Sequence, residues 1–175
     1  RIDKACGLMK EQNASAMYLH AGTNLYYFTG MRWSASERMV GAVLFSNGRL
    51  VYIAPKFEKG TILDFMLIHG DVECWEEHES PFSLLGSILG VNNNNEIDVY
   101  IDETTPYFIS DGISKANSNL NLKNATSIIA SCRMIKSLKE ISIMQHAMNI
   151  TLEVQKAVAR IMKVGISAAE VVDFI

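Results

Sequence analysis

The dipeptide Asn47-Gly48 sits between two apolar runs, MVGAVLFS before it and RLVYIA after it. Asn and Gly both tolerate positive φ, which makes the pair the strongest short-range signal for a tight β-hairpin. Residues 39–46 and 49–54 therefore predict two antiparallel strands. The rest of the first 130 residues alternates strand and helix signals, the pattern of parallel strands joined by helical crossovers. A sheet that holds both kinds of pairing is mixed, and this narrows the fold class to α/β with one reversed strand.

The alternation runs as follows. Residues 2–13 place Ile2, Ala5, Leu8 and Met9 on one helical face. Residues 16–20 (AMYLH) fit a short buried strand. Pro55 predicts the opening of a helix that reaches residue 67, because proline suits a first helical turn. Residues 71–75 (DVECW) alternate as a strand, and Ser80-Pro81 opens a helix to residue 89. The run NNNN at 92–95 predicts a surface loop. Residues 97–102 (IDVYID) form another strand, Thr105-Pro106 opens a helix to residue 116, and residues 120–125 fit a last short strand.

The character then changes. Ser137-x-x-Glu140 is a capping box. Apolar residues recur at Ile141, Met144, Met148, Val154, Val158 and Ile161, which predicts one amphipathic helix to residue 164 with Gly165 as its C′ residue. Ser167-x-x-Glu170 is a second capping box, and the sequence stops a turn or two into that helix, so a further C-terminal part is expected. The expected organisation is an α/β layer over residues 1–131. A linker and the first helices of a second domain follow over residues 132–175.

Composition excludes several classes. The net charge is −3 and no basic stripe occurs, which argues against nucleic acid. No apolar run approaches the roughly 18 residues a membrane span needs. Cys6, Cys74 and Cys132 are odd in number and form no CxxC, which points to reduced thiols and a cytoplasmic location. No Gly-rich phosphate loop and no GxSxG elbow is present, so no catalytic residue is assigned. The richest ligand cluster, HGDVECWEEHE at 69–79, reads as an edge strand and a solvated acidic loop. Strand alternation turns Cys74 away from Glu73 and Trp75, and no metal ligand is assigned.

The stretch NLYYFTGMRWSASER at 24–38 follows neither strand nor helix periodicity cleanly. Tyr27 and Phe28 fit a core. Trp33, between Arg32 and Ser34 in a polar run after Gly30, fits a partner or ligand surface as well as simple packing. Arg38 either pairs with Glu37 at the surface or presents its fork to a carboxylate.

These residues resemble a known family. NLYYFTG followed by SER, a strand, a hairpin and PKFE is similar to the N-terminal domain of the creatinase/prolidase family. So is CRMIKSLKEISIMQHAMNIT, whose Arg133, Ile135, Lys136, Ser137, Glu140 and Ile141 match the R-x-I-K-S-x-x-E-I run at the family's domain junction. The resemblance covers essentially the whole chain. It implies a three-layer, mixed-sheet sandwich of ribonuclease-H-like topology, followed by a long C-terminal helix. It implies a parent enzyme that hydrolyses Xaa-Pro bonds in short proline-containing peptides. The family's pita-bread catalytic domain holds two metal ions, manganese or cobalt, on two Asp, one His and two Glu. None of those ligands is matched here, so this chain alone is expected to be inactive and to hold no cofactor. The resemblance further implies a homodimer in which this domain restricts substrate size at a neighbour's active site. Trp33 would wall the pocket and Arg38 would hold a carboxylate. A creatinase-like amidinohydrolase, or a non-catalytic relative used as a dimerisation module, would share the same scaffold.

Overall fold

Residues 1–92 and 95–175 are described by a computed structural model of the chain. Of the asparagine run, Asn93 and Asn94 lie outside the described residues. The chain divides into two units, Arg1–Arg133 and Met134–Ile175.

The first unit is built on six strands: β1 (Ala16–His20), β2 (Gly41–Phe45), β3 (Leu50–Pro55), β4 (Asp71–Trp75), β5 (Ile97–Ile101) and β6 (Leu120–Asn124). Their order is β4-β3-β2-β1-β5-β6. β2 runs antiparallel to β1 and β3, while β1–β5, β5–β6 and β3–β4 are parallel. The run β3-β2-β1-β5-β6 with only β2 reversed is the ribonuclease-H-like arrangement, extended at one edge by β4. Every residue of β1 and β3 is buried, as expected for strands covered on both faces. Edge strand β4 buries only Trp75 fully.

The hairpin forms with Val43 opposite Val51 and Leu44 opposite Leu50. Its loop has three residues, closed by the Phe45 N–H donating to the Arg49 carbonyl at 2.9 Å. Gly48 takes φ 92°, and Asn47 contributes its side chain, whose Oδ1 accepts from the Arg49 N–H at 2.9 Å. The glycine thus supplies the left-handed residue that closes a three-residue loop.

Among the described residues, six helices cover the sheet: α1 (Ile2–Glu11), α2 (Thr23–Thr29), α3 (Lys59–Phe65), α4 (Pro81–Leu89), α5 (Tyr107–Ala116) and α6 (Thr126–Arg133). One core joins α1, α2, α6 and Ile62 of α3 to Met17, Leu19, Leu44 and Tyr52. The other joins Leu85 of α4 and Ile109 and Ile113 of α5 to Tyr18, Val43, Ile53 and Val99. Side chains that alternate along β1 enter opposite cores, which makes the unit a three-layer sandwich. Helices α4 and α5 approach closely at Gly86, where a Cβ would lie 1.8 Å from Asn117 Oδ1. Asn117 fastens the pair by donating Nδ2 to the Phe82 carbonyl at 2.8 Å.

One expectation needs correction here, and one helix was not expected. Pro55 closes β3 rather than opening a helix, and a 3-10 turn at Lys56–Glu58 separates it from α3. A proline contributes no N–H to the ladder and so suits a strand end. Helix α6 carried no clear periodic signal; its start is fixed by Asn124, whose Oδ1 accepts from the Thr126 N–H at 2.7 Å.

In the second unit, α7 (Leu138–Ile161) and α8 (Ala168–Phe174) both begin with complete capping boxes. Ser137 Oγ accepts from the Glu140 N–H at 3.2 Å, and Glu140 Oε2 accepts from the Ser137 N–H at 2.8 Å. Helix α7 is about 36 Å long at 1.5 Å per residue. It stops at Ile161, with Met162 already extended at ψ 123°. Gly165, at φ 91°, lies in the turn beyond and is not the C′ residue expected. No residue of either helix is buried.

Candidate functional site

The stretch 24–38 begins as a helix, contrary to the sequence reading. Two turns are too few for a 3.6-residue period to stand out among so many aromatics. Leu25, Phe28 and Thr29 of α2 point into the core. Thr29 Oγ1 donates to the Leu25 carbonyl at 2.7 Å and accepts from the Met31 N–H at 3.2 Å, which ties the helix end to buried Met31. Gly30 ends the helix at φ 75°. A Cβ there would strain the backbone and stand 2.8 Å from Leu67 Cδ1.

This left-handed turn returns the chain along the flank of α2. The Arg32 guanidinium lies over the Tyr26 ring, 4.9 Å from its centroid, and donates to Tyr26 Oη at 3.4 Å. That contact holds the Tyr26 phenol below its ordinary pKa and raises that of Arg32. Both groups are exposed, so solvent screens the effect. Trp33 stands beside them, half-buried, with its ring edge-on to Phe65 at 6.3 Å. An open cleft of about 490 Å³ lies among Gly22, Thr23, Tyr26, Arg32, Trp33 and Ser34. On the opposite flank of Tyr26 a second cleft, about 560 Å³, is lined by Arg1, Asp3, Gly30, Leu67 and Ile68.

Of the two residues singled out in the sequence, Trp33 lines the first cleft and Arg38 does not. Arg38 pairs with Glu37 and, at 3.2 Å, with Glu77, and its guanidinium lies over the Phe57 ring at 5.4 Å. The glutamate contact raises its pKa. The cation beside Trp33 is Arg32. The sequence reading missed Arg32 and Tyr26, although the glycine after YFT already signalled a reversal that could bring residue 32 back onto the helix.

A buried polar cluster lies at the ends of β1 and β5. Tyr18 Oη and His20 Nδ1 are 3.3 Å apart, and Asp102 follows β5. Burial lowers the His20 pKa against the opposing pull of Asp102 and raises that of Tyr18. His20 Nε2, Asp102 Oδ2 and Thr105 Oγ1 are buried without protein partners. In β4, Trp75 Nε1 donates to the Met39 carbonyl at 3.3 Å, and burial raises the half-exposed Cys74 thiol. Among the described residues, no group of three or more His, Cys, Asp or Glu is arranged to hold a metal ion.

The sequence profile of the creatinase/prolidase N-terminal domain matches residues 1–135. An uncharacterized peptidase of Schizosaccharomyces pombe is 25% identical over 181 residues, spanning 95% of this chain and 39% of that protein. A dipeptidase from Mycobacterium ulcerans superposes with a TM-score of 0.87 at 19% identity, over 99% of this chain and 46% of that one. The N-terminal domain of an Xaa-Pro dipeptidase from Lactobacillus brevis gives a TM-score of 0.64 at 20% identity, over 74% of this chain and 98% of that one. The chain spans less than half the length of the curated relatives it matches. With the profile covering most of the chain and the mixed sheet in place, this protein belongs to the creatinase/prolidase N-terminal domain family.

Proposed function

We propose that this chain is the non-catalytic N-terminal part of a dinuclear metallopeptidase that hydrolyses Xaa-Pro bonds in short peptides. In that role it contributes to homodimer formation and limits substrate size. The observation that carries the reading is the cleft of Tyr26, Arg32 and Trp33. An aromatic wall suits a prolyl ring, and a guanidinium suits a peptide's free carboxylate. Arg32 takes the carboxylate-binding role in this proposal, because Arg38 is already paired with Glu37 and Glu77. The described residues supply no converging ligand set for a pair of divalent ions. In this proposal the manganese or cobalt pair sits in a catalytic part outside these residues. Three free cysteines support a cytoplasmic setting. No helix among the described residues is long and apolar enough to cross a membrane.

The test is hydrolysis of a panel of Xaa-Pro dipeptides and tripeptides with added manganese, by this chain and by the longest chain its gene encodes. Cleavage by the longer chain alone is expected, and turnover by the 175-residue chain would overturn the reading. In the active form, Arg32→Ala and Trp33→Ala are expected to relax length selectivity by about tenfold, the scale of one lost pocket contact. Arg38→Ala should leave selectivity unchanged.

A further inference from the structure

The N-terminal end of α2 is as tightly held as its C-terminal end is open. Asn24 is fully buried. Its Nδ2 donates to Asp102 Oδ1 at 2.7 Å and to Glu103 Oε1 at 3.3 Å. Its Oδ1 accepts from Arg133 Nη1. Carboxylates on one side and a guanidinium on the other permit one orientation of the amide. Asp102 is itself fixed, since its Oδ1 also accepts from the Thr104 N–H and hydroxyl, each at 2.8 Å.

Arg133 is the last residue of α6 and of the first unit. The two residues before it are held in the same manner. Lys4 Nζ donates to the Ser131 carbonyl at 2.7 Å, and Tyr27 Oη donates to the Cys132 carbonyl at 2.8 Å. These carbonyls belong to the last helical turn, whose acceptors have no partner within the helix. Three consecutive residues thus each engage a side chain from α1 or α2. Residues 134–137, immediately beyond, are exposed and irregular.

We propose that Asn24 is a positioning residue: its carboxamide links the buried Asp102 carboxylate to the Arg133 guanidinium and so fixes the backbone where the chain leaves its first unit. An amide is suited to this because it donates to one charge and accepts from the other. A carboxylate at position 24 would still accept from Arg133 but would face Asp102 and Glu103 with like charge. An apolar residue would take one donor from Asp102 and the acceptor at position 24 from Arg133. In this chain the amide from NLYYFTG seats the arginine of R-x-I-K-S, 109 positions away.

Limited trypsin digestion tests the proposal, because Arg133 and Lys136 flank the exit. In the unsubstituted chain, cleavage after Lys136 is expected, while Arg133 is protected by its engagement with Asn24. Asn24→Ala should raise cleavage after Arg133 at least tenfold while cleavage after Lys136 stays within twofold. Asn24→Asp should do the same, because its carboxylate would meet Asp102 and Glu103 with like charge. A change at Arg133 of less than twofold in Asn24→Ala would overturn the proposal. A parallel rise after Lys123, within β6, would mean general unfolding and would also overturn the local role. Arg133→Gln guards against failure of the buried variants to fold: hydrogen exchange at residues 132–135 should quicken about tenfold with β1 and β5 unchanged, and unchanged exchange there would overturn it.

Discussion

Helices α5 and α7 are both amphipathic, and their local signals rank them in the wrong order for burial. Helix α7 has a complete capping box and 24 residues. Helix α5 has 10 residues and no side-chain cap. Yet α5 buries Ile109 and Ile113, while α7 buries nothing and leaves Ile141, Met144 and Met148 between 52% and 57% exposed. Capping and propensity act within a helix, whereas burial needs a second surface. The first unit shows both at once. In the second unit the caps are in place on helices whose apolar residues stay exposed.

The largest test of this contrast is a pair of truncations. Ile113→Ala should cost about 2–5 kcal/mol through lost transfer and a residual cavity. Met148→Ala should change stability by less than about 0.5 kcal/mol, as at an ordinary surface position. Urea denaturation measures both, and equal costs would break the comparison. Next is the cap. Ser137→Ala should cost about 1 kcal/mol of local helix stability. Faster hydrogen exchange at residues 138–141, with no change in α5, would confirm that α7 depends on its own signals.

Smaller effects separate the units by pH. Burial lowers the pKa of His20 from its ordinary 6.5. The unfolded chain therefore binds a proton that the folded chain resists, and stability falls as pH drops from 6.5 toward the depressed value. His20→Gln should flatten that slope in urea titrations between pH 7 and pH 5 (roughly the range in which histidine titrates). In the second unit, hydrogen bonds from Ser167 lower the pKa of Glu170 from 4.5. Its box is intact above that ordinary value and is lost as pH falls through the lowered one. Loss of helicity there should therefore begin at more acid pH than the His20 effect. The smallest change is expected from Arg38→Ala, whose urea midpoint should match that of the unsubstituted chain, because its ion pairs are exposed.

Much of the fold was legible because its signals are local. The hairpin, the strands that flank it and both capping boxes follow from short runs of residues. Helix α2 was not legible because it is two turns long and three adjacent residues of its seven are aromatic. Pro55 misled because it suits a strand end as well as a helix start. Of the proposed site, Trp33 stood out as an aromatic in a polar loop, and the sequence reading took Arg38, not Arg32, as its cation; what occupies Arg38 besides Glu37 was not visible in its own stretch. That group is Glu77, which is 39 positions from Arg38 and reaches it only because β4 lies in the same sheet. The Asn24–Arg133 contact spans 109 positions and has no local signature at either end.

Gly30 separates two kinds of freedom. Its positive φ and its contact with Leu67 leave little room for any other residue. The residues it aims are different: Arg32, Ser34, Ala35 and Ser36 are exposed. Substitutions among them would alter what the cleft admits with little effect on the core. Side chains beyond this glycine can therefore change while the turn that sets the path of their backbone stays fixed.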